Sequence, residues 1–393
     1  MYVHYPFCSV RCPYCDFAVD VREEIPHSRY ADAVIAELNA RAGWFAGGRL
    51  RSIYFGGGTP GLWPAAEIGR VIAAVRGSFE AGPDPLEITV EANPGEMDVD
   101  RFAALAAVGV NRISLGVQAF DDGLLVRLGR NHAAAAAPAA LTAARQAGIR
   151  NVSCDLMFGL PGQTMTAWQR SVEALIALEP EHVSAYALTV ERGTAFHALD
   201  RRGQLERPDD DATAAMFSWA DRTLAVAGYE HYEVSSYARA GLRAVHNQLY
   251  WTQAAYLGVG VSAASFRPLA DGSGWRFTNP RSTETYLRAF TGGAVVRPAK
   301  VERRTVEELE NEALWLALRT RDGVDRGRHR DRFGADPLDM PERRREADRC
   351  VSAGWLRVTP RILCLSDEGL LFADEVAARL WLSPSKYGKY NHL

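Results

Sequence analysis

A chain of 393 residues that is 47% apolar and 24% charged has the make-up of an ordinary globular protein, with room for one core of roughly 250 residues and a smaller second unit. A net charge of −3 argues against a general binder of phosphate backbones. No run of about 18 uncharged apolar residues is present to span a bilayer, and residues 1–7 lack the basic and apolar regions of a secretory signal. The expected location is the cytoplasm, where thiols stay reduced and six cysteines read as ligands or core residues rather than disulphides.

The first half alternates short β-rich runs with helical stretches. Strands are predicted at residues 2–5, 51–55, 86–91, 111–117, 151–157 and 182–188, with helices at 28–42, 64–78, 98–107, 133–147 and 164–178. Six βα units in series imply parallel strands with right-handed crossovers. Six falls short of the eight of a closed barrel, so the expected fold is α/β, an open partial (β/α)6 barrel with its chemistry at the C-terminal strand ends. After Glu191 the pattern loosens into a helix at 210–227, a strand at 229–234, a His/Asn/aromatic run at 246–251 and a Gly-rich segment at 256–266. The stretch 271–298 is rich in Gly, Thr and Pro and reads as a boundary. From Arg303 onward, helices at 306–318 and 343–352, a wing at 355–358 and 362–365, and a closing helix at 368–382 make a small winged-helix-like α+β domain. The division is then 1–235 for the partial barrel, 236–300 for a connecting segment, 301–382 for the C-terminal domain and 383–393 for a tail expected to fray.

Cys8, Cys12 and Cys15 form a C-x3-C-x2-C run directly after the first strand, whereas Cys154, Cys350 and Cys364 are scattered and read as core. Thiolates are the ligands of iron–sulphur clusters. Three rather than four leave one iron of a cubane open to a small chelating molecule, and a methionine-derived ligand with an amine and a carboxylate suits it. The competing reading is zinc, which asks for a fourth Cys or His in knuckle spacing. His4 is near in sequence, but a strand side chain need not face the loop. Gly56-Gly57-Gly58-Thr59-Pro60 follows the second strand, where glycines let the backbone approach a ligand closely and grip an amino group. Glu91, Gln118, Arg130 and Asp155 stand at or near the ends of the next strands. Singly, each reads as the cap of a following helix; together they line one face of the barrel.

With Tyr2-Val3-His4-Tyr5-Pro6-Phe7 before it, this triad resembles the radical SAM superfamily and, within it, the HemN/HemW branch, from Tyr2 to Ala378 or so. That branch holds the oxygen-independent coproporphyrinogen III dehydrogenases and the related haem chaperones. The resemblance implies a 4Fe–4S cluster on Cys8, Cys12 and Cys15 with S-adenosylmethionine (SAM) on the fourth iron. It also implies SAM contacts from Tyr2, Tyr14, Gly57, Gly58, Thr59, Glu91, Gln118, Arg130 and Asp155. Carboxylates can accept from the amine and the ribose hydroxyls, Arg130 can pair with the methionine carboxylate, and Tyr14 can lie against the adenine.

Two features separate the branch members. The dehydrogenases carry a fourth cysteine two residues after the third, where this chain has Phe17. The run from His246 to Trp251 reads H-N-x-x-Y-W, a signature of the chaperone members. The dehydrogenases also have an extension before their first strand, which here begins at Tyr2. The resemblance therefore implies a haem chaperone that passes haem to an acceptor protein, expected to be a respiratory haem protein. Its rivals are oxidative decarboxylation of coproporphyrinogen III and radical SAM chemistry on another substrate, and no residue is assigned as catalytic. Imidazole is a common axial ligand of haem iron, so His246 is the leading haem ligand, with Tyr250 and Trp251 packing beside it and His231 and His132 as alternatives. The competing reading of that run is a structural cluster closing the barrel. His27 and His329 read as surface residues. Basic runs at 326–332 and 343–345 raise nucleic acid as a partner, but Glu307, Glu308, Glu310, Glu312, Asp367, Glu368, Asp374 and Glu375 make the surface one of mixed charge. Nucleic acid is not expected, and docking of a haem acceptor fits the same surface.

Overall fold

The computed structural model describes residues 1–291 and 298–382, so the tail read at 383–393 lies outside the described residues. One nine-stranded sheet organises the first two thirds of the chain. Its strands are β1 (Tyr2–Tyr5), β2 (Ser52–Gly57), β3 (Glu87–Ala92), β4 (Arg112–Gln118), β5 (Val152–Phe158), β6 (His182–Ala187), β7 (Glu230–Glu233), β8 (Ser236–Ala238) and β9 (Gly258–Gly260). Their order is β9-β1-β2-β3-β4-β5-β6-β8-β7. The strands from β9 through β6 are mutually parallel, and β8 and β7 add an antiparallel pair at one edge. The edges β9 and β7 are not paired with each other, so the barrel stays open.

The six strands read from sequence stand where expected, and the reason is visible in their alternation. Residues i, i+2 and i+4 of a strand share a face. On one face Val3, Ile53, Phe55, Ile88, Val90, Ile113, Leu115, Val152, Leu156 and Val183 are buried in a single core with the surrounding helices. Those helices are His27–Arg41, Ala65–Ser78, Val99–Ala107, Ala136–Gln146 and Met165–Ala177. Asp98 and Thr164 start two of them by accepting from the amides of Arg101 and Ala167. The alternate residues, such as Tyr54, Glu91, Ser114, Asp155 and Ser184, face the barrel lumen. Parallel strands covered on both faces ordinarily read as continuous apolar runs. A polar stripe here means that the inner face was not built to be filled with hydrocarbon.

Strand β9 sits inside the segment read only as Gly-rich. The buried Glu37 holds it: its carboxylate accepts from the Gly260 amide (2.8 Å), from Tyr286 (2.6 Å) and from Asn279 (2.7 Å), and it pairs with Arg41. The stretch expected as a boundary contributes a strand, Gly274–Thr278, and a helix, Thr283–Thr291. Gly274–Thr278 is the centre of a three-stranded sheet between Ala264–Pro268 and Lys300–Arg304.

The C-terminal domain begins with helix Val306–Leu318, whose Thr305 and Glu308 form a reciprocal capping box. Strand Val324–Asp325, helices Arg326–Phe333 and Pro341–Ser352, and strands Leu356–Val358 and Ile362–Leu365 follow. Ile362–Leu365 lies between the other two strands. This winged-helix-like arrangement has its own core around Leu314, Leu318, Leu338, Cys350 and Leu363. Its closing helix is Ala373–Leu380, shorter than expected, because a 3-10 turn at Gly369–Phe372 precedes it. Backbone hydrogen bonds tie the domain to β7, from Val234 to the Arg319 carbonyl and from Arg321 to the Tyr232 carbonyl. His329 is a correction: it is 5% exposed, with Nδ1 at 3.0 Å from the Ala335 carbonyl. Among the described residues no helix is long and apolar enough to cross a membrane.

Candidate functional site

The cysteine loop leaves the top of β1 and is tied at its base. The Cys8 amide donates to the Asp20 carbonyl (3.1 Å), and the Asp20 amide donates to that of Pro6 (2.8 Å). A turn within the loop places the Cys15 amide 3.2 Å from the Cys12 carbonyl. All three thiols are free and all three line one cavity of about 470 Å3 that runs down the lumen. Burial pushes the Cys8 thiol up to about 11, against the Thr59 hydroxyl that donates to its sulphur at 3.4 Å. Arg130 points a guanidinium nitrogen at Cys12 Sγ, 3.8 Å away. Such donors favour thiolates.

Below the loop, the residues expected at a SAM site converge. Gly57 has φ +115°, and a Cβ there would stand 2.4 Å from the His4 ring, so only glycine makes this turn. Its amide donates to one oxygen of Glu91 (3.1 Å), and the Tyr54 hydroxyl donates to the other (2.7 Å). Burial raises the Glu91 carboxyl. Arg130 is aimed by Asn93 and by the Gly116 carbonyl (2.9 Å), and its buried Nε has no partner among the described residues. Asp155 accepts from Ser114 (3.2 Å) and Ser153 (3.4 Å). Burial, with the negative field of Glu91, pushes it up to about 7. Gln118 ends β4 with φ +67°, a conformation rare for a residue with a side chain, and its Oε1 accepts from Tyr186 (3.0 Å). Tyr14 closes the wall near Phe196.

Two expected residues are placed differently. Tyr2 lies outside the cavity lining; its hydroxyl bonds His4 Nδ1 at 3.0 Å, and His4 Nε2 lies 3.0 Å from the Ala18 carbonyl. Both nitrogens of His4 are thus engaged, and it is no fourth ligand for a zinc ion. His246 is 3% exposed within a short helix, Val245–Trp251, at the lower end of the barrel. Its Nδ1 bonds Ser52 Oγ (2.8 Å), its Nε2 bonds the Tyr250 hydroxyl (3.0 Å), and its ring stacks on Tyr54. The carboxylate of Glu87 accepts from the amides of Val245 and His246, both at 2.9 Å. In this arrangement neither nitrogen of His246 is open to a metal. Of the alternatives, His132 keeps Nδ1 and His231 keeps Nε2 buried and without a partner among the described residues.

The residues present fit a cluster with a chelating methionine derivative. Three free thiols share a wall with a cavity of suitable size, and among the described residues a guanidinium nitrogen beside them has no partner and the buried carboxylates there have no directly bonded cation. Among the described residues no three His, Cys, Asp or Glu side chains gather closely enough for a single ion, whereas a cubane asks each thiolate to reach a different iron. Sequence reading missed Tyr54, Asn93, Arg112, Ser153, His182, Ser184 and Asn247, which also line the cavity. For most of them the available signal was the period-2 polar stripe of β4, β5 and β6.

Known proteins share this frame. Residues 2–175 match the radical SAM superfamily, and residues 305–372 match the HemN C-terminal domain. A heme chaperone HemW from Synechocystis sp. is 36% identical over 331 residues, covering 82% of this chain and 78% of that protein. One from Mycobacterium tuberculosis is 34% identical over 383 residues, covering 97% and 94%. The solved coproporphyrinogen III oxidase HemN of Escherichia coli, described as a radical SAM enzyme, superposes with a TM-score of 0.82 over 97% of this chain and 89% of that one. At 23% identity this is a likeness of fold.

Proposed function

We propose a haem-chaperone function for this chain, which belongs to the radical SAM superfamily and, within it, to the HemW family. In this reading Cys8, Cys12 and Cys15 hold a 4Fe–4S cluster and SAM binds at the open iron. The bound cluster supplies an electron source beside a sulphonium centre. Arg130, already aimed by Asn93, holds the methionine carboxylate. The Gly57–Thr59 turn grips the amine, Glu91 and Asp155 accept from amine and hydroxyl protons, Gln118 adds an amide, and Tyr14 lies against the adenine. Tyr2 acts through His4, which packs on Gly57. Haem is bound by the same chain and handed to an acceptor protein, expected to be a respiratory haem protein, in the cytoplasm.

The observation that carries the reading is the pairing of Phe17, at the position of the dehydrogenases' extra cysteine, with the H-N-x-x-Y-W run. For His246 to hold the haem iron, Tyr250 has to release Nε2. The test is a haem titration of the anaerobically reconstituted protein followed by desalting. One haem retained per monomer, lost or spectrally shifted in His246→Ala, is the expected result; haem that washes away sinks the chaperone reading. A second reading, radical SAM catalysis on a small substrate, is favoured by the polar lumen itself, which binding haem elsewhere does not require. It predicts reductive cleavage of SAM that a substrate accelerates.

A further inference from the structure

The floor of the lumen carries a charge that the SAM site leaves unused. Arg112 opens β4, is 2% exposed, and lines the same cavity as the cysteines. Among the described residues its guanidinium donates no hydrogen bond and reaches no carboxylate within ion-pair distance, and its Nε is buried without a partner. Glu91 and Asp155 feel its field, yet their oxygens accept from Tyr54, Gly57, Ser114 and Ser153 instead. A buried guanidinium with five donors and no acceptor is costly. Asn247 also lines the cavity, from the helix that closes the barrel, as does Ser184 from β6. Neither side chain has a protein hydrogen-bond partner among the described residues.

We propose that Arg112, Asn247 and Ser184 form a subsite for the carboxylate of a small molecule, separate from SAM at the cysteine loop. A guanidinium fork matches a carboxylate in two parallel bonds, and an amide and a hydroxyl supply further donors. The nearby carboxylates select a monoanion, because a phosphate dianion would bring a second charge with nothing to meet it. The inference concerns a carboxylate held by Arg112, Asn247 and Ser184, and it stands whether or not haem binds. It rests on the proposed SAM site only in calling the subsite separate.

The test uses trifluoroacetate as probe, followed by fluorine NMR line broadening on the reconstituted protein with and without saturating SAM. SAM binding is measured on the same samples by equilibrium dialysis, so failure of SAM to bind is told apart from failure of the probe. The expected result is saturable broadening in the presence of SAM that acetate displaces. It should weaken at least tenfold in Arg112→Gln and severalfold in Asn247→Ala, with SAM affinity held within about twofold. Arg112→Lys, which keeps the charge and loses the fork, covers the case in which the glutamine variant does not fold, and it should also weaken the probe. Absence of saturable binding overturns the proposal, and so does binding that these variants leave unchanged. Displacement of the probe by SAM overturns it too, since Arg112 would then be holding SAM's own carboxylate.

Discussion

Arginines crowd both the barrel lumen and the C-terminal domain, but in opposite company. In the C-terminal domain Arg326 and Arg330 share Asp336, Arg349 meets Glu346, Arg379 meets Glu375, and Arg321 and Arg357 reach Asp367. Arg343, which reads from sequence as part of a basic surface run, is 1% exposed. It donates to Leu380 and Pro337 carbonyls, to Glu310 and to Asn311. In the lumen, among the described residues, Arg112 has no acceptor, Arg130 keeps an unpartnered Nε, and Glu91 and Asp155 accept only from hydroxyls and an amide. Satisfied charge builds the domain and neutralises the stretch that could have met nucleic acid. Unsatisfied charge in a low dielectric costs stability that a ligand's groups offset on binding. The contrast thus separates architecture from site without reference to any relative.

The sharpest way to break the contrast is at the cysteine loop. Cys12→Ala should abolish the visible absorption of the reconstituted protein and leave its circular dichroism unchanged; a surviving cluster band would falsify the assignment of the triad. Next in size is Arg343→Ala. Removing one partner of a buried, fully bonded charge costs roughly 3–5 kcal/mol. A urea unfolding loss below about 1 kcal/mol would place Arg343 with exposed ion pairs.

Asp155→Asn tests the other side of the comparison. A carboxyl whose folded pKa stands above its unfolded value binds a proton more tightly when folded. Stability therefore falls as pH rises from about 4 to about 7 and is flat beyond. Asparagine cannot ionise, so the variant should match the wild type in acid and exceed it above pH 7, by a ceiling of about 4 kcal/mol. Its SAM affinity should fall at least tenfold. Melting curves at pH 5 and pH 8 decide the first point; equal gains at both would show that the aspartate does not carry the lumen's unpaid charge.

Much of this was legible in the chain. The triad's spacing, the glycine turn and the alternation of β1 to β6 are local patterns, and local patterns survive into structure. What was not legible depends on distant partners. Strand β9 is Gly-Val-Gly, with no side-chain period of its own, and Glu37 and Tyr30 from the first helix fix it. Arg112 stands at a strand start, where a polar residue reads as a solvent edge; only the stripe Arg112-Ser114-Gly116-Gln118 marks it as inward-facing. His246 reads as the leading haem ligand from its imidazole and the aromatic run it opens, beside a structural reading of the same run; the partner of its Nδ1, Ser52, lies 194 residues away in sequence. His329, which reads as a surface residue, is buried instead by Phe333 and the Ala335 carbonyl, both close in sequence, with Glu310 approaching from helix Val306–Leu318.

The smallest predicted effect bears on that histidine. Burial, with the N-terminal amine and then Arg112 adding to it, pushes the His246 imidazole well below its usual range, so the ring is neutral at physiological pH, the state in which a nitrogen can bind iron. Ser52 holds Nδ1, and the Tyr250 hydroxyl occupies Nε2 at 3.0 Å. If haem iron takes Nε2, Tyr250 is its competitor. Tyr250→Phe then removes a hydrogen bond with a net value of about 0.5–1.5 kcal/mol, and haem should bind roughly two- to tenfold tighter. If His246 only pins the helix to β2, the same variant leaves haem affinity where it was and costs about 1 kcal/mol of stability through the orphaned nitrogen. A Soret titration read beside a melting curve separates the two outcomes, because tighter haem binding and simple destabilisation move different observables.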